Sequence, residues 1–175
     1  RGYVAPRTIV SWVRGQGLGF APGSHYGYSN TDNIILALIA EAVTRRPYGA
    51  LLSDIVFRPA RLRQTTFPAT IAVPKPFIHG YVVSPGAKPT DVSTALSPSG
   101  AWASGAIIST PADLGRFIRD DLGQMFFGAL QQREQLRFVE GESSPPGPGT
   151  NAAGLAIFRY RTRCGTVYGH TGSFP

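Results

Sequence analysis

From Ile34 to Val43 the apolar residues Ile34, Ile35, Leu38, Ile39, Ala42 and Val43 recur at helical spacing, which predicts an amphipathic helix. Pro47 ends it, and the Arg45-Arg46 pair puts positive charge at the C-terminus, where the helix dipole favours cations. A second short helix is predicted through YGALLSDIVFRPARL, stopping near Pro59. From Gln64 to Ser99 the pattern dissolves into Pro, Thr and Ser, which reads as loop, with FIHGYVV as a strand-like run. STPADLGRFIRDDLG then carries a helix start. Thr110 is the cap, Pro111 takes the first helical position and Asp113 sits in the first turn. Leu114, Phe117, Ile118 and Leu122 supply the stripe expected to be buried. ESSPPGPGTN reads as a surface loop. After it, GLAIFRY and TVYGHTG read as two strands joined by the turn RTRCG.

The expectation is therefore an α/β (α+β) chain. Residues 1–150 form a mostly helical region with long loops, and residues 151–175 open an antiparallel sheet. A two-stranded hairpin is marginal on its own, and the sequence offers no other convincing strands. This predicts an internal fragment, one domain of a larger protein.

Composition narrows the function classes. The 175 residues are 42% apolar and 15% charged, which suits a globular protein. A formal charge of +7 raises the question of nucleic acid. The positive residues are nearly all arginine, scattered in short groups such as Arg58-Arg61-Arg63 and Arg159-Arg161-Arg163. With no basic block, RNP-like aromatic motif or Cys/His finger, no nucleic-acid partner is expected. A basic surface suits an anionic cell envelope equally well. His25, His79 and His170 lie far apart and Cys164 is alone, so neither a metal site nor a cofactor is expected, and no disulfide closes within the chain. Phosphate-loop and G-x-S-x-G signatures are absent.

One constellation remains. Tyr28-Ser29-Asn30 stands just before a long helix, and His170-Thr171-Gly172 follows a strand much later. With the surrounding stretches APGSHYGYSNTDNIILALIAEAVT, GAWASGAIISTPADLGRFI, AAGLAIF and VYGHTGSFP, this resembles the serine β-lactamase and D-alanyl-D-alanine carboxypeptidase superfamily. The likeness is greatest to the branch of class C β-lactamases, Streptomyces-type DD-peptidases and related esterases. That branch carries S-x-x-K, then Y-x-N, then a Lys- or His-Thr-Gly triplet. The chain shows the last two and contains no S-x-x-K; Ser84 to Lys88 has one residue too many.

The resemblance implies a β-lactamase/transpeptidase-like fold and an acyl-enzyme serine hydrolase acting on D-alanyl peptides, β-lactams or esters. It places the nucleophile before Arg1 and leaves these 175 residues inactive alone. A non-catalytic, penicillin-binding-like recognition domain is the alternative, distinguished by an upstream S-x-x-K. Acyl transfer through serine needs a group that takes the hydroxyl proton and returns it to the leaving amine. A tyrosine beside a lysine can do so. Tyr28 is the expected shuttle, against the alternative of a core aromatic. Asn30 either offers donor and acceptor to a substrate amide or caps the helix. Ser29 is read as structural. His170 attracts a substrate carboxylate through a charge that imidazole loses in mild alkali, or else bonds backbone as an ordinary strand histidine. Thr171 hydrogen-bonds the carboxylate or carbonyl region, and Gly172 lets a ligand approach the strand edge. The backbone N–H of Ser173 resembles the second oxyanion-hole donor. A strand arginine can hold a terminal carboxylate in peptidases of this branch. Here Ile157 falls near its place, with Arg159 and Arg161 further on, so peptide, β-lactam and ester all stay open. Trp102 is assigned to core packing. The partners implied are a small molecule or peptidoglycan peptide, with a monomer that is secreted, periplasmic or cell-envelope associated. Cys164 would then find a disulfide partner after Pro175.

Overall fold

The computed structural model describes residues 3–68, 73–95 and 97–173. Part of the Pro-rich loop and the final Phe174-Pro175 lie outside these. The chain divides into two compact units: Arg1–Gly15 with Asn30–Thr110, and Gln16–Ser29 with Pro111–Pro175. The sequence had put its change of character at residue 150.

In the first unit, α1 (Pro6–Trp12), α2 (Asn30–Thr44) and α3 (Tyr48–Leu52) precede a π-turn at Ser53–Phe57. Pro6 opens α1 where its missing N–H costs nothing. The core gathers Ile9, Ile34, Ala37 and Trp102, with Leu38, Tyr48 and Phe67 packed against it. Trp102 therefore serves packing, as its sequence context indicated. Only part of the α2 stripe is buried, because Ile35, Leu36, Ile39 and Val43 stay exposed.

A short hairpin pairs β1 (Tyr81–Val82) with β2 (Thr90–Asp91). Beside it, the Asp91 carboxylate accepts from the Ser93 hydroxyl and backbone N–H at 2.5 and 2.9 Å, and from His79 Nδ1 at 2.7 Å. The two Ser93 bonds, then the His79 bond, pull the Asp91 carboxyl down to about 2. A lowered folded-state value contributes stability above the unfolded value near 3.9, and that contribution is lost as pH falls through about 2. Replacing Ser93→Ala should bring Asp91 back toward the ordinary carboxylate range in a carbon-detected NMR titration. No change on that substitution would contradict the assignment of cause.

The second unit holds α4 (Pro111–Leu122), α5 (Ala129–Gln135) and a four-stranded antiparallel sheet. Its strands are β3 (Val139–Glu140), β4 (Thr150–Ala153), β5 (Phe158–Thr162) and β6 (Gly165–Gly169), in that order. The sheet is larger than the expected hairpin. β3 has two residues and β4 reads Thr-Asn-Ala-Ala, so neither shows the apolar alternation that marks a strand. β5 begins at Phe158, later than GLAIFRY suggested. Before it, Gly154 N–H donates to Ile157 O at 2.8 Å, and Ala156 has φ +57, closing a turn. The β5–β6 connection is tight, because Thr162 already pairs with Gly165.

α4 starts at Pro111 as expected, but its inner face differs. Leu114 is exposed, while Asp113 and Asp121 are buried. Both carboxylates have partners: Arg116 lies 3.1 Å from Asp113, and Gln135 Nε2 donates to Asp121 at 3.0 Å. Buried carboxylates persist only when bonded in this way.

Candidate active site

Strand alternation sets the site. Phe158 and Tyr160 of β5, two residues apart, are both buried and form a cluster with Ala153, against which Tyr26 and Tyr28 pack. His170 follows β6 directly and is exposed. Its ring centroid lies 5.7 Å from that of Tyr28 and 5.0 Å from that of Phe158, the latter in an edge-on contact. Tyr28 and His170 are therefore side by side within the second unit, Tyr28 half-buried and His170 open to solvent.

Next to His170, three hydroxyls converge. Thr171 Oγ1 donates to Ser143 Oγ at 2.8 Å and lies against the Pro145 carbonyl. The buried Tyr160 hydroxyl donates to the same Ser143 Oγ at 3.1 Å. Ser143 in turn donates to the Pro145 carbonyl at 3.0 Å. One serine oxygen thus accepts twice and donates once, which uses its whole capacity. The network ties the Thr171 side chain to the sheet floor. Tyr160→Phe removes one donor from a buried acceptor and should cost about 1 kcal/mol of stability. Chemical denaturation would show it, and an unchanged midpoint would mean that Tyr160 anchors nothing.

The remaining predicted residues are placed as follows. Gly172 and Ser173 are exposed, and a methyl group added at Gly172 would meet open space. Asn30 is exposed and is the first residue of α2, in the first unit. Of the predicted set, the second unit brings Tyr28, His170 and Thr171 together. Arg159 alternates to the face opposite Phe158 and Tyr160, where its guanidinium sits 4.6 Å from the centre of the Phe138 ring. It turns away from His170. Arg161 is exposed.

Ser143 and Tyr160 were not singled out from sequence. Tyr160 carried a faint signal, sharing strand parity with Phe158. Ser143 sits in ESSPPGPG, where nothing local marks it; only the fold brings it under Thr171. Among the described residues no cluster of His, Cys, Asp and Glu could hold a metal ion. Among the described residues, too, no helix is long and apolar enough to cross a membrane.

Four matches to known proteins bear on the site. The beta-lactamase family model matches residues 1–175. The D-alanyl-D-alanine-carboxypeptidase/endopeptidase AmpH of Escherichia coli K12 is 28% identical over 117 residues, which is 67% of this chain and 28% of that protein. Among solved structures, a D-stereospecific amidohydrolase from Streptomyces sp. superposes with a TM-score of 0.85 at 32% identity. That match covers 98% of this chain and 50% of the other. The D-amino acid amidase from Ochrobactrum anthropi SV3, complexed with L-phenylalanine amide, gives 0.88 at 22% identity, over 100% of this chain and 51% of its own. At that identity the likeness concerns fold, and the fold is the helix-plus-antiparallel-sheet architecture that the sequence implied. The chain spans about half the length of these solved relatives.

Proposed function

The chain belongs to the beta-lactamase family, and on that premise we propose that it forms part of a serine hydrolase acting through an acyl-enzyme on amides of D-amino acids. The observation that carries the reading is the meeting of Tyr28 with His170, flanked by the anchored Thr171. Two motifs far apart in sequence converge where one acyl group would sit.

In this reading the serine and its lysine come from a segment of the parent protein outside these 175 residues. Serine Oγ attacks the amide carbon, and Tyr28 accepts the hydroxyl proton. As the C–N bond breaks, the Tyr28 proton passes to the leaving nitrogen, and ammonia or an amine departs. Water then attacks the ester carbonyl and gives a proton to Tyr28, which returns it to the serine Oγ as the acid departs. Thr171 hydrogen-bonds the substrate beside the reacting carbonyl, while His170 lines the approach.

Two observations favour an amide over a peptide with a free C-terminus. Arg159, the nearest strand arginine, faces the opposite side of β5 and packs on Phe138. His170 stands next to Thr171 in the chain, and an imidazole lacks the two-pronged fork with which an arginine holds a carboxylate. Among the relatives, the D-stereospecific amidohydrolase at 32% identity supports the amide, while AmpH is a D-alanyl-D-alanine-carboxypeptidase/endopeptidase, so the choice between the two is left to experiment.

The test uses the full-length protein. Incubation with a fluorophosphonate or a β-lactam should add one covalent adduct by intact mass. D-alanine amide should then release ammonia faster than D-alanyl-D-alanine is cleaved. Absence of any adduct would favour a non-catalytic recognition domain and overturn the proposal. Faster cleavage of the dipeptide would overturn the amide preference.

A further inference from the structure

The hydroxyl network beneath Thr171 decides where its single hydrogen points. Tyr160 gives its hydrogen to Ser143 Oγ at 3.1 Å, and Ser143 gives its own to the Pro145 carbonyl at 3.0 Å. Thr171 Oγ1 lies 2.8 Å from Ser143 Oγ and also against the Pro145 carbonyl. A carbonyl oxygen has no hydrogen to offer, and that of Ser143 is already committed. The hydrogen in both contacts is therefore Thr171's own. Reversing the Ser143–Thr171 bond changes nothing outward, because the Pro145 carbonyl would then take the Thr171 hydrogen for itself. Tyr160 and Ser143 are buried, so solvent does not rearrange the order. Thr171 is half-buried, and its hydroxyl has only lone pairs left for a ligand.

The neighbouring side chain has the same polarity. His170 Nδ1 lies against the Thr171 backbone carbonyl, which can only accept, so Nδ1 carries the ring hydrogen. Nε2 of the neutral imidazole is then an acceptor as well.

We infer that Thr171 selects substrates by accepting a hydrogen bond from their amide nitrogen. This rests on the hydrolase reading and names the substrate group that Thr171 holds. Carboxylate, ester and carbonyl oxygens bring no hydrogen, and lone pairs facing lone pairs repel. A carboxamide nitrogen brings two hydrogens. When Tyr28 passes its proton to that nitrogen, the C–N electron pair stays with the nitrogen and ammonia departs with three. Thr171 Oγ1 accepts one of them throughout, and its hold strengthens as positive character builds on the leaving nitrogen. Ser143 and Pro145 act as positioning groups, since they keep the Thr171 hydrogen turned inward.

The full-length protein and its Thr171→Val variant are assayed on D-alanine amide and D-alanine methyl ester. These substrates differ at one place, an NH2 that donates against an OCH3 that can only accept. Valine keeps the branched shape of threonine and removes the hydroxyl. The expected result is a fall of about tenfold in kcat/KM on the amide, the size of one hydrogen bond, with the ester within about twofold. Thr171→Ser keeps the hydroxyl and should restore the amide, which separates a lost bond from a disturbed fold. An equal fall on both substrates would mean that Thr171 donates to the carbonyl they share, and it overturns the inference. No fall on either does the same. A protein that is covalently labelled yet gives one of these two results keeps the hydrolase reading and loses this one. Where no adduct forms, neither substrate is consumed, and calorimetry gives both Kd values directly. Thr171→Val must then weaken the amide alone, and any other pattern overturns the inference.

Discussion

A Tyr28→Phe variant of the full-length protein is expected to acylate about 10²–10⁴-fold more slowly than the wild type, the usual contribution of a positioned proton-transfer group. Each tenfold corresponds to about 1.36 kcal/mol of activation free energy, so the hydroxyl is asked to supply roughly 3–5 kcal/mol. Its ring is not at stake. Phenylalanine keeps the packing on the Ala153-Phe158-Tyr160 cluster and the contact with His170. Thermal stability should therefore change little while stopped-flow acylation collapses. Ser29→Ala supplies the comparison, since the proposed reaction gives Ser29 no step, and it should leave the rate within a few-fold. A Tyr28→Phe enzyme with near-normal acylation would remove Tyr28 from the chemistry and leave it a core aromatic.

The largest expected effect on stability comes from a residue without a side chain. Gly149 has φ +69, and a methyl group there would sit 2.0 Å from the Arg161 carbonyl oxygen. Gly149→Ala thus combines a left-handed backbone, costing about 1–2 kcal/mol for an L-residue, with a collision against the backbone of the paired strand. The pairing of Thr150 with Arg161 would have to shift. A loss of about 4 kcal/mol or more is expected, at the extreme of single substitutions. Gly172→Ala makes the contrast, because nothing lies within reach of its added methyl group. It should leave stability unchanged and impair substrate approach. Equal denaturation midpoints for Gly149→Ala and the wild type would refute the strand-clash argument.

How far the sequence announced this molecule depends on the element. α2 and α4 were legible because Pro47, Thr110 and Pro111 mark their ends and apolar spacing fills them. The inner face of α4 was not, since Asp113 and Asp121 look like solvent-facing residues until Arg116 and Gln135 meet them. β3 and β4 were hidden because strands of two and four residues carry no periodicity; pairing with β5 alone makes them strands. In the site, Tyr28 and His170 could be paired from motif order. The Ser143 hydroxyl that holds Thr171 could not, since its partners come from two other parts of the chain. Arg159 is the sharpest departure. Its position in the sequence leaves carboxylate recognition open, and a single step of strand parity turns it to the far face.

The contact between Tyr28 and His170 joins residues about 140 positions apart. During synthesis at about 5–20 residues per second, Tyr28 emerges on the order of ten seconds before its neighbour exists. Helices α1 to α3, and the Phe67 and Trp102 rings that complete their core, are all synthesised in that interval. Tyr26 and Tyr28 meanwhile wait with their apolar rings uncovered for β5 to arrive. Closing so long a loop adds only slowly to the entropic cost, as the logarithm of its length, so the delay is one of supply. The ribosome sets when the tyrosine is buried, and a translational pause before Phe158 would prolong the vulnerable interval for this part of the chain.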